Sequence, residues 1–96
     1  MIDNSDLIRK ASFARLKFGL SYDDIFKAIY LLFKDGMVLE NDMLDCITLI
    51  SIRDASLDTM EYCASPSIIK MRLDNKPTSE RIINLKKWFQ LTDIFD

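Results

Sequence analysis

Apolar residues recur along most of the chain at the spacing of an α-helix, three or four residues apart. The first such stripe lies in residues 5–18 and consists of Leu7, Ala11, Ala14 and Phe18. Asn4 or Ser5 can cap the start of this helix, and Gly19 stands where a left-handed residue ends a helix. The pattern therefore predicts a first helix that buries one face.

Two further apolar residues of this helix, Phe13 and Leu16, lie roughly opposite the stripe. Either the helix is covered on two sides, or these two side chains form an exposed apolar contact site. We favour the first interpretation, in which a second element of the fold covers them.

The second helix has the sharpest start signal in the chain, the capping pattern S-x-x-D at residues 21–24. Ser21 is expected to accept a hydrogen bond from the backbone N–H of Asp24, whose carboxylate reaches back and favours the positive end of the helix. The helix then continues to Asp35. Because almost all of its faces carry apolar side chains, it is predicted to be the central helix.

The third segment is harder to interpret. Asn41 can cap a helix over residues 42–53, but no clean polar face is visible there. Residues 46–52 are rich in β-branched side chains, so a strand is the alternative. We favour a helix that is buried nearly all round.

The remaining helices are predicted from their caps and breakers at residues 55–64, at residues 66–73 and from residue 79 onward. Asp54 is the expected N-cap of the first of these, and Pro66 suits the first turn of the second. Thr78 or Ser79 caps the last. The predicted fold is therefore all-α, a compact bundle of about five helices that forms a single domain over residues 1–96.

Composition supports a helical domain and excludes most chemistry. The 96 residues are 49% hydrophobic and 29% charged, with only two glycines and two prolines, too few for the turns of a β-sandwich. The absence of histidine removes the commonest acid–base catalyst and metal ligand. Cys46 and Cys63 lack metal or redox spacing and are expected to be packed thiols. We therefore expect no catalytic residues, no cofactor, no metal site and no small-molecule substrate.

The same sequence carries no membrane or secretion signal. The longest apolar run covers residues 28–33, far below the roughly 18 residues that span a bilayer. The first residues are too acidic and polar for a signal peptide. A soluble, reduced, cytoplasmic protein is expected.

Nucleic-acid binding is the first functional alternative. Residues 14–29 have the outline of a helix-turn-helix, in which the second helix meets bases and phosphates. Here that helix begins with Tyr22, Asp23 and Asp24, and the two carboxylates repel phosphate. With a net charge of −2, we predict no direct nucleic-acid contact. A small helical DNA-binding protein or transcriptional regulator that acts through the basic end segments remains the alternative.

The electrostatic feature of the chain is its acidic middle third. Residues 36–65 hold Arg53 as their only base. The acidic residues of this stretch are Glu40, Asp42, Asp45, Asp54, Asp58 and Glu61. On the predicted fourth helix, three of them share one arc, with Tyr62 at its edge as a candidate aromatic anchor. The arrangement indicates either a solvated face or a docking site for a basic protein partner, where complementary charge speeds association.

One family bears on this choice. The segment FGLSYDDIF at residues 18–26 resembles the first helical turn of the colicin D immunity family. A small helical chain with an acidic face is also similar in kind to the immunity proteins of contact-dependent growth inhibition. The resemblance implies a helical bundle whose acidic residues cover the basic active cleft of a nuclease toxin. The expected function is therefore an immunity protein or antitoxin, with the seven residues from Glu40 to Tyr62 named above as its partner-binding site.

Overall fold

Five α-helices and short connections make up residues 1–54 and 60–91, the part of the chain that the computed structural model describes. The helices are α1 (Asn4–Phe18), α2 (Tyr22–Lys34), α3 (Glu40–Arg53), α4 (Pro66–Asn75) and α5 (Glu80–Leu91). No strand occurs in these two ranges, so the all-α prediction is confirmed. The alternative of a strand at residues 46–52 is wrong, because these residues lie inside α3.

Helix α2 lies at the centre of the bundle, in contact with each of the other four helices. Every residue from 25 to 30 is buried, since apolar side chains surround the helix on all sides. Phe26 and Ile29 are fully buried. A large apolar side chain stabilises a fold by roughly 1.5–3 kcal/mol when it is fully buried. The central position predicted for this helix is therefore confirmed.

The helix caps agree with the sequence for α2 and differ for two of its neighbours. Ser21 Oγ accepts the N–H of Asp24 at 3.2 Å, as predicted. Helix α1 begins one residue earlier than expected, because the Asp3 carboxylate accepts the N–H of Asp6 at 2.9 Å. Helix α3 begins after Leu39 and has no side-chain cap, so the prediction of Asn41 as its N-cap is wrong.

Glycine ends α1 as the sequence indicated. Gly19 has φ 64° and donates its N–H to the carbonyl of Arg15, which closes the last turn. Ser79 caps α5 by accepting the N–H of Ile82 at 3.3 Å, and Pro66 occupies the first turn of α4.

The predicted fourth helix at residues 55–64 is only partly within the described residues, because 55–59 lie outside them. Met60 is helical, but Glu61 and Tyr62 form a turn, so the helix does not continue to Ala64. Met60 and Ala64 are exposed, although the apolar spacing of a helix over residues 55–64 would place both against the core.

Two buried lysines hold the ends of helices that are distant in sequence. Lys10 of α1 donates to the carbonyl of Phe89 at 3.0 Å, and Lys27 of α2 donates to the carbonyl of Leu73 at 2.5 Å. Carbonyls near a helix C-terminus lack intrahelical partners and carry partial negative charge, so an ammonium group stabilises them. Burial lowers the pKa of Lys27, although nearby Asp74 opposes this.

The cysteines have different environments. Cys46 is buried, and burial raises the pKa of its thiol to about 12, so it is an inert packed thiol as predicted. Cys63 is exposed, contrary to that prediction.

Candidate protein-binding face

Helix α3 packs against α1 and α2 with one side and leaves the other to solvent. The buried side consists of Met43, Cys46, Ile47, Ile50 and Ser51. The helix is therefore amphipathic, and the expectation that it is buried nearly all round is wrong. Its β-branched residues had obscured the exposed side, because some of them lie there.

The exposed side of α3 carries a row of two acidic and two apolar residues, Asp42, Asp45, Leu49 and Ile52, which we call the α3 face. Their spacing of i, i+3, i+7 and i+10 places them within one arc of the helix. Leu49 is 43% exposed and Ile52 is 64% exposed. Asp45 is exposed and Asp42 is half-buried, and neither forms an ion pair within residues 1–54 and 60–91.

Other acids of the middle third have basic partners from α4. Glu40 forms an ion pair with Lys70, and Glu61 forms one with Arg72 at 2.9 Å. The sequence had suggested an acidic surface almost without compensating bases, and for these two acids that was wrong. Both bases lie outside the acidic stretch in sequence, which is why its local composition did not reveal them.

Asp54 closes the last turn of α3, where its N–H donates to the carbonyl of Ile50 at 2.9 Å. It lines a cavity of about 430 Å³ together with Arg15, Arg53 and Tyr22. Burial raises the pKa of Tyr22, and the Asp54 carboxylate raises it further. Asp54 therefore lies among cations rather than on an isolated acidic arc. Asp58, also a predicted site residue, lies outside the described residues.

Tyr62 is part of the core, and the prediction that it is a surface anchor is wrong. It is only 2% exposed, and its ring meets Phe26 edge-on with centroids 4.9 Å apart. Its hydroxyl donates to the carboxylate of Asp23. Burial and this carboxylate both raise the pKa of the Tyr62 hydroxyl group. A continuous helix would have placed Tyr62 at an outer edge, but the turn at residues 61–62 directs it inward.

The first turn of α2 is joined by ion pairs to Lys76 of the α4–α5 connection and to Arg81 of α5. Lys76 Nζ lies 2.5 Å from a carboxylate oxygen of Asp23 and 3.1 Å from one of Asp24, and Arg81 lies 3.4 Å from Asp24. Burial of the Asp23 carboxyl group opposes its ionisation. The hydrogen bonds from Lys76 and Tyr62 outweigh burial and lower its pKa. The Asp24 carboxylate thus binds cations where the sequence predicted a return bond to its own helix start.

These contacts also bear on the helix-turn-helix pattern of residues 14–29. A recognition helix must present a free face to the major groove. Helix α2 is surrounded by four other helices, and its first acids are already paired with Lys76 and Arg81. The α1–α2 pair is therefore a helical hairpin inside a bundle.

Within residues 1–54 and 60–91, no group of three or more histidine, cysteine, aspartate or glutamate residues could hold a metal ion. None of the helices described has the length and apolarity needed to cross a membrane. No protein-family model, curated protein or solved structure matches this chain.

Proposed function

We propose that this protein is a protein-binding inhibitor of the immunity or antitoxin type, which covers the basic active cleft of a nuclease toxin with its α3 face. One observation supports this most strongly. The α3 face joins two carboxylates without ion-pair partners in the described residues to two exposed aliphatic side chains. The protein acts by binding, and its place of action is the cytoplasm, where such a toxin meets its nucleic-acid substrate.

The two halves of the α3 face have different roles in the proposal. Asp42 and Asp45 stand in for substrate phosphates and raise the rate of encounter with a basic cleft. Leu49 and Ile52 provide apolar area that becomes dehydrated on binding, as in the centre of most stable interfaces. A purely solvating surface needs the charges but gains nothing from the exposed aliphatic side chains.

Glu40 and Glu61, the two acids of the middle third that pair with bases of α4, are assigned to the rim of the interface. The ion pair of Glu61 with Arg72 is exposed, so it costs little to exchange for a partner's arginine or lysine. The ion pair of Glu40 with Lys70 is also partly exposed, so it too can be exchanged at little cost. Tyr62 is excluded from the interface because it is buried.

The test begins with a nuclease that copurifies with this protein from its native host. The wild-type chain is expected to inhibit cleavage of the nuclease's RNA or DNA substrate at a stoichiometry near one to one. Replacing both Asp42 and Asp45 by asparagine should slow association by at least roughly tenfold at low salt, because charge steering accelerates encounter by about 10–10³-fold. The loss should shrink as salt rises.

The matched control is Glu80→Gln, which removes an exposed carboxylate from the first turn of α5 instead. It should leave the association rate within about twofold of wild type, because a charge outside the interface contributes little to steering. If the variant with both Asp42 and Asp45 replaced associates as fast as the wild type, the α3 face is not part of the interface. A copurifying nuclease that stays active with the protein bound would contradict inhibition itself.

A further inference from the structure

The exposed charges of α3 follow a fixed order along the helix. Asp45 lies four residues before Leu49, and Arg53 lies four residues after it. An α-helix rises 1.5 Å per residue and completes a turn in 3.6 residues, so the acid and the base lie about 6 Å from Leu49 along the axis, in opposite directions, and about 40° to either side of it. The exposed side of α3 therefore has an acidic end, an apolar centre and a basic end.

Asp45 and Arg53 receive no counter-charge from the part of the chain that the structure describes. Both side chains are exposed. Neither forms an ion pair among the described residues, and for Arg53 this includes the neighbouring Asp54. Arg15, which lies nearby on α1, differs because it donates a hydrogen bond to the carbonyl of Leu20 at 2.9 Å. The two charges at the ends of the row are thus available to another molecule.

Leu16 of α1 extends the apolar area beyond α3. It is 87% exposed and lines the same cavity as Arg53. The interpretation that a second element covers both Phe13 and Leu16 is therefore wrong for Leu16, while Phe13 stacks on Trp88 of α5 with ring centroids 6.0 Å apart. Together with the two aliphatic side chains of the α3 face, Leu16 provides apolar surface that a partner can dehydrate.

We propose that a second copy of this chain binds to this side of α3, with the two α3 helices antiparallel and related by a twofold axis beside Leu49. In a twofold interface, residue i of one copy contacts residue j of the other, and j contacts i. Asp45 of each copy then lies opposite Arg53 of the other, while Leu49 contacts its own equivalent. At the interaxial distance of about 8–10 Å that is typical of packed helices, an arginine reaches an aspartate on the facing helix.

The order of the charges favours a second copy over a uniformly charged partner. A basic cleft pairs with Asp42 and Asp45 but provides no counter-charge for Arg53, and an acidic surface does the reverse. A second copy pairs with both ends at once. It occupies the surface proposed for the nuclease, so the two exclude each other. This competition rests on the proposed function, whereas the self-association does not.

Sedimentation equilibrium of the purified chain tests the inference directly. The monomer has a mass of 11.2 kDa, and the dimer has twice that mass. Because the contact is centred on one face of a 14-residue helix, about 21 Å long, we expect a reversible dimer with a Kd of roughly 10–500 µM. The dimer should weaken as salt rises, because salt screens the exposed charges.

Charge reversal locates the contact. Asp45→Arg and Arg53→Asp should each weaken self-association at least roughly tenfold, because each change places like charges opposite one another twice in the dimer. An equimolar mixture of the two variants should form a mixed dimer, since one chain then offers two bases and the other offers two acids. The double change of Asp45→Arg with Arg53→Asp should restore self-association.

Glu80→Arg and Lys87→Asp are the matched controls. They make the same two changes in net charge at exposed positions of α5, away from α3. Both should leave the dissociation constant within about twofold of wild type, because exposed charges more than a Debye length apart are largely screened. Far-ultraviolet dichroism of every variant checks that the helices are intact.

Three outcomes would overturn the inference. They are a wild-type chain that stays monomeric up to about 1 mM, self-association that the two charge reversals leave unchanged, and a folded double variant that stays monomeric. None of these measurements uses a nuclease, so each of them leaves the proposed inhibition standing. A monomeric chain that still inhibits a nuclease would assign the α3 face to that enzyme alone.

Discussion

Two pairs of aspartates, at the start of α2 and on α3, look alike in sequence and have different roles in the structure. Asp23 and Asp24 are joined to Lys76 and Arg81, while Asp42 and Asp45 have no ion-pair partner within the described residues. The cation that meets Asp23 lies 53 residues away in the chain. The comparison teaches that the local sequence does not distinguish a paired carboxylate from an unpaired one, because the base comes from a distant part of the chain.

The largest expected effect tests the structural side of this comparison at Tyr62. Because the ring is buried against Phe26 and its hydroxyl donates to Asp23, Tyr62→Ala should lower the free energy of unfolding by about 3–5 kcal/mol. Ile52→Ala, an exposed aliphatic change on the α3 face, should cost no more than about 0.5 kcal/mol. Urea denaturation measures both. A Tyr62→Ala protein as stable as wild type would contradict the burial of Tyr62 in the core.

The next effect compares how the two helices begin. Ser21→Ala removes the cap of α2 and should cost about 1 kcal/mol. Asn41→Ala should cost almost nothing, since Asn41 does not cap α3. Leu39→Ser places a hydroxyl at the uncapped start of α3 and should gain roughly 0.5–1 kcal/mol. Urea midpoints rank the three variants. If Asn41→Ala lost as much stability as Ser21→Ala, the observed start of α3 would be contradicted.

Sequence reasoning succeeded with the local signals of the α1–α2 hairpin. It failed at the N-caps of α1 and α3 and where a feature depends on distant residues. Ser21 and Gly19 act within one helical turn, so their pattern was sufficient to place the α1–α2 hairpin. The burial of Tyr62 depends on a turn that a helical pattern had hidden. The pairing of Glu40 and Glu61 depends on bases of α4. The structure was therefore needed to distinguish these two paired acids from Asp45, which has no ion-pair partner among the described residues.

The contacts of Asp23 also predict that the stability of the fold depends on pH. The pKa of Asp23 is lowered in the folded protein, so its ionised form stabilises the fold above the pKa of the unfolded chain, roughly 3.9. This stabilisation is lost as pH falls through the lower, folded-state pKa. Unfolding free energy should therefore decline below about pH 5, and Asp23→Asn should flatten the decline. Urea titrations at a series of pH values measure the slope for the wild type and for Asp23→Asn.

The smallest expected effect tests whether the two carboxylates of the α3 face contribute to the stability of the fold. Asp45 is exposed and has no ion-pair partner among the described residues, so Asp45→Asn should change the free energy of unfolding by less than about 0.5 kcal/mol. Asp42 lies in the first turn of α3, where a carboxylate favours the helix dipole, so Asp42→Asn should cost roughly 0.3–1 kcal/mol. Urea midpoints at neutral pH detect both differences. A loss above about 1 kcal/mol at Asp45 would mean that this carboxylate supports the fold, as Asp23 does, and is not free for a partner.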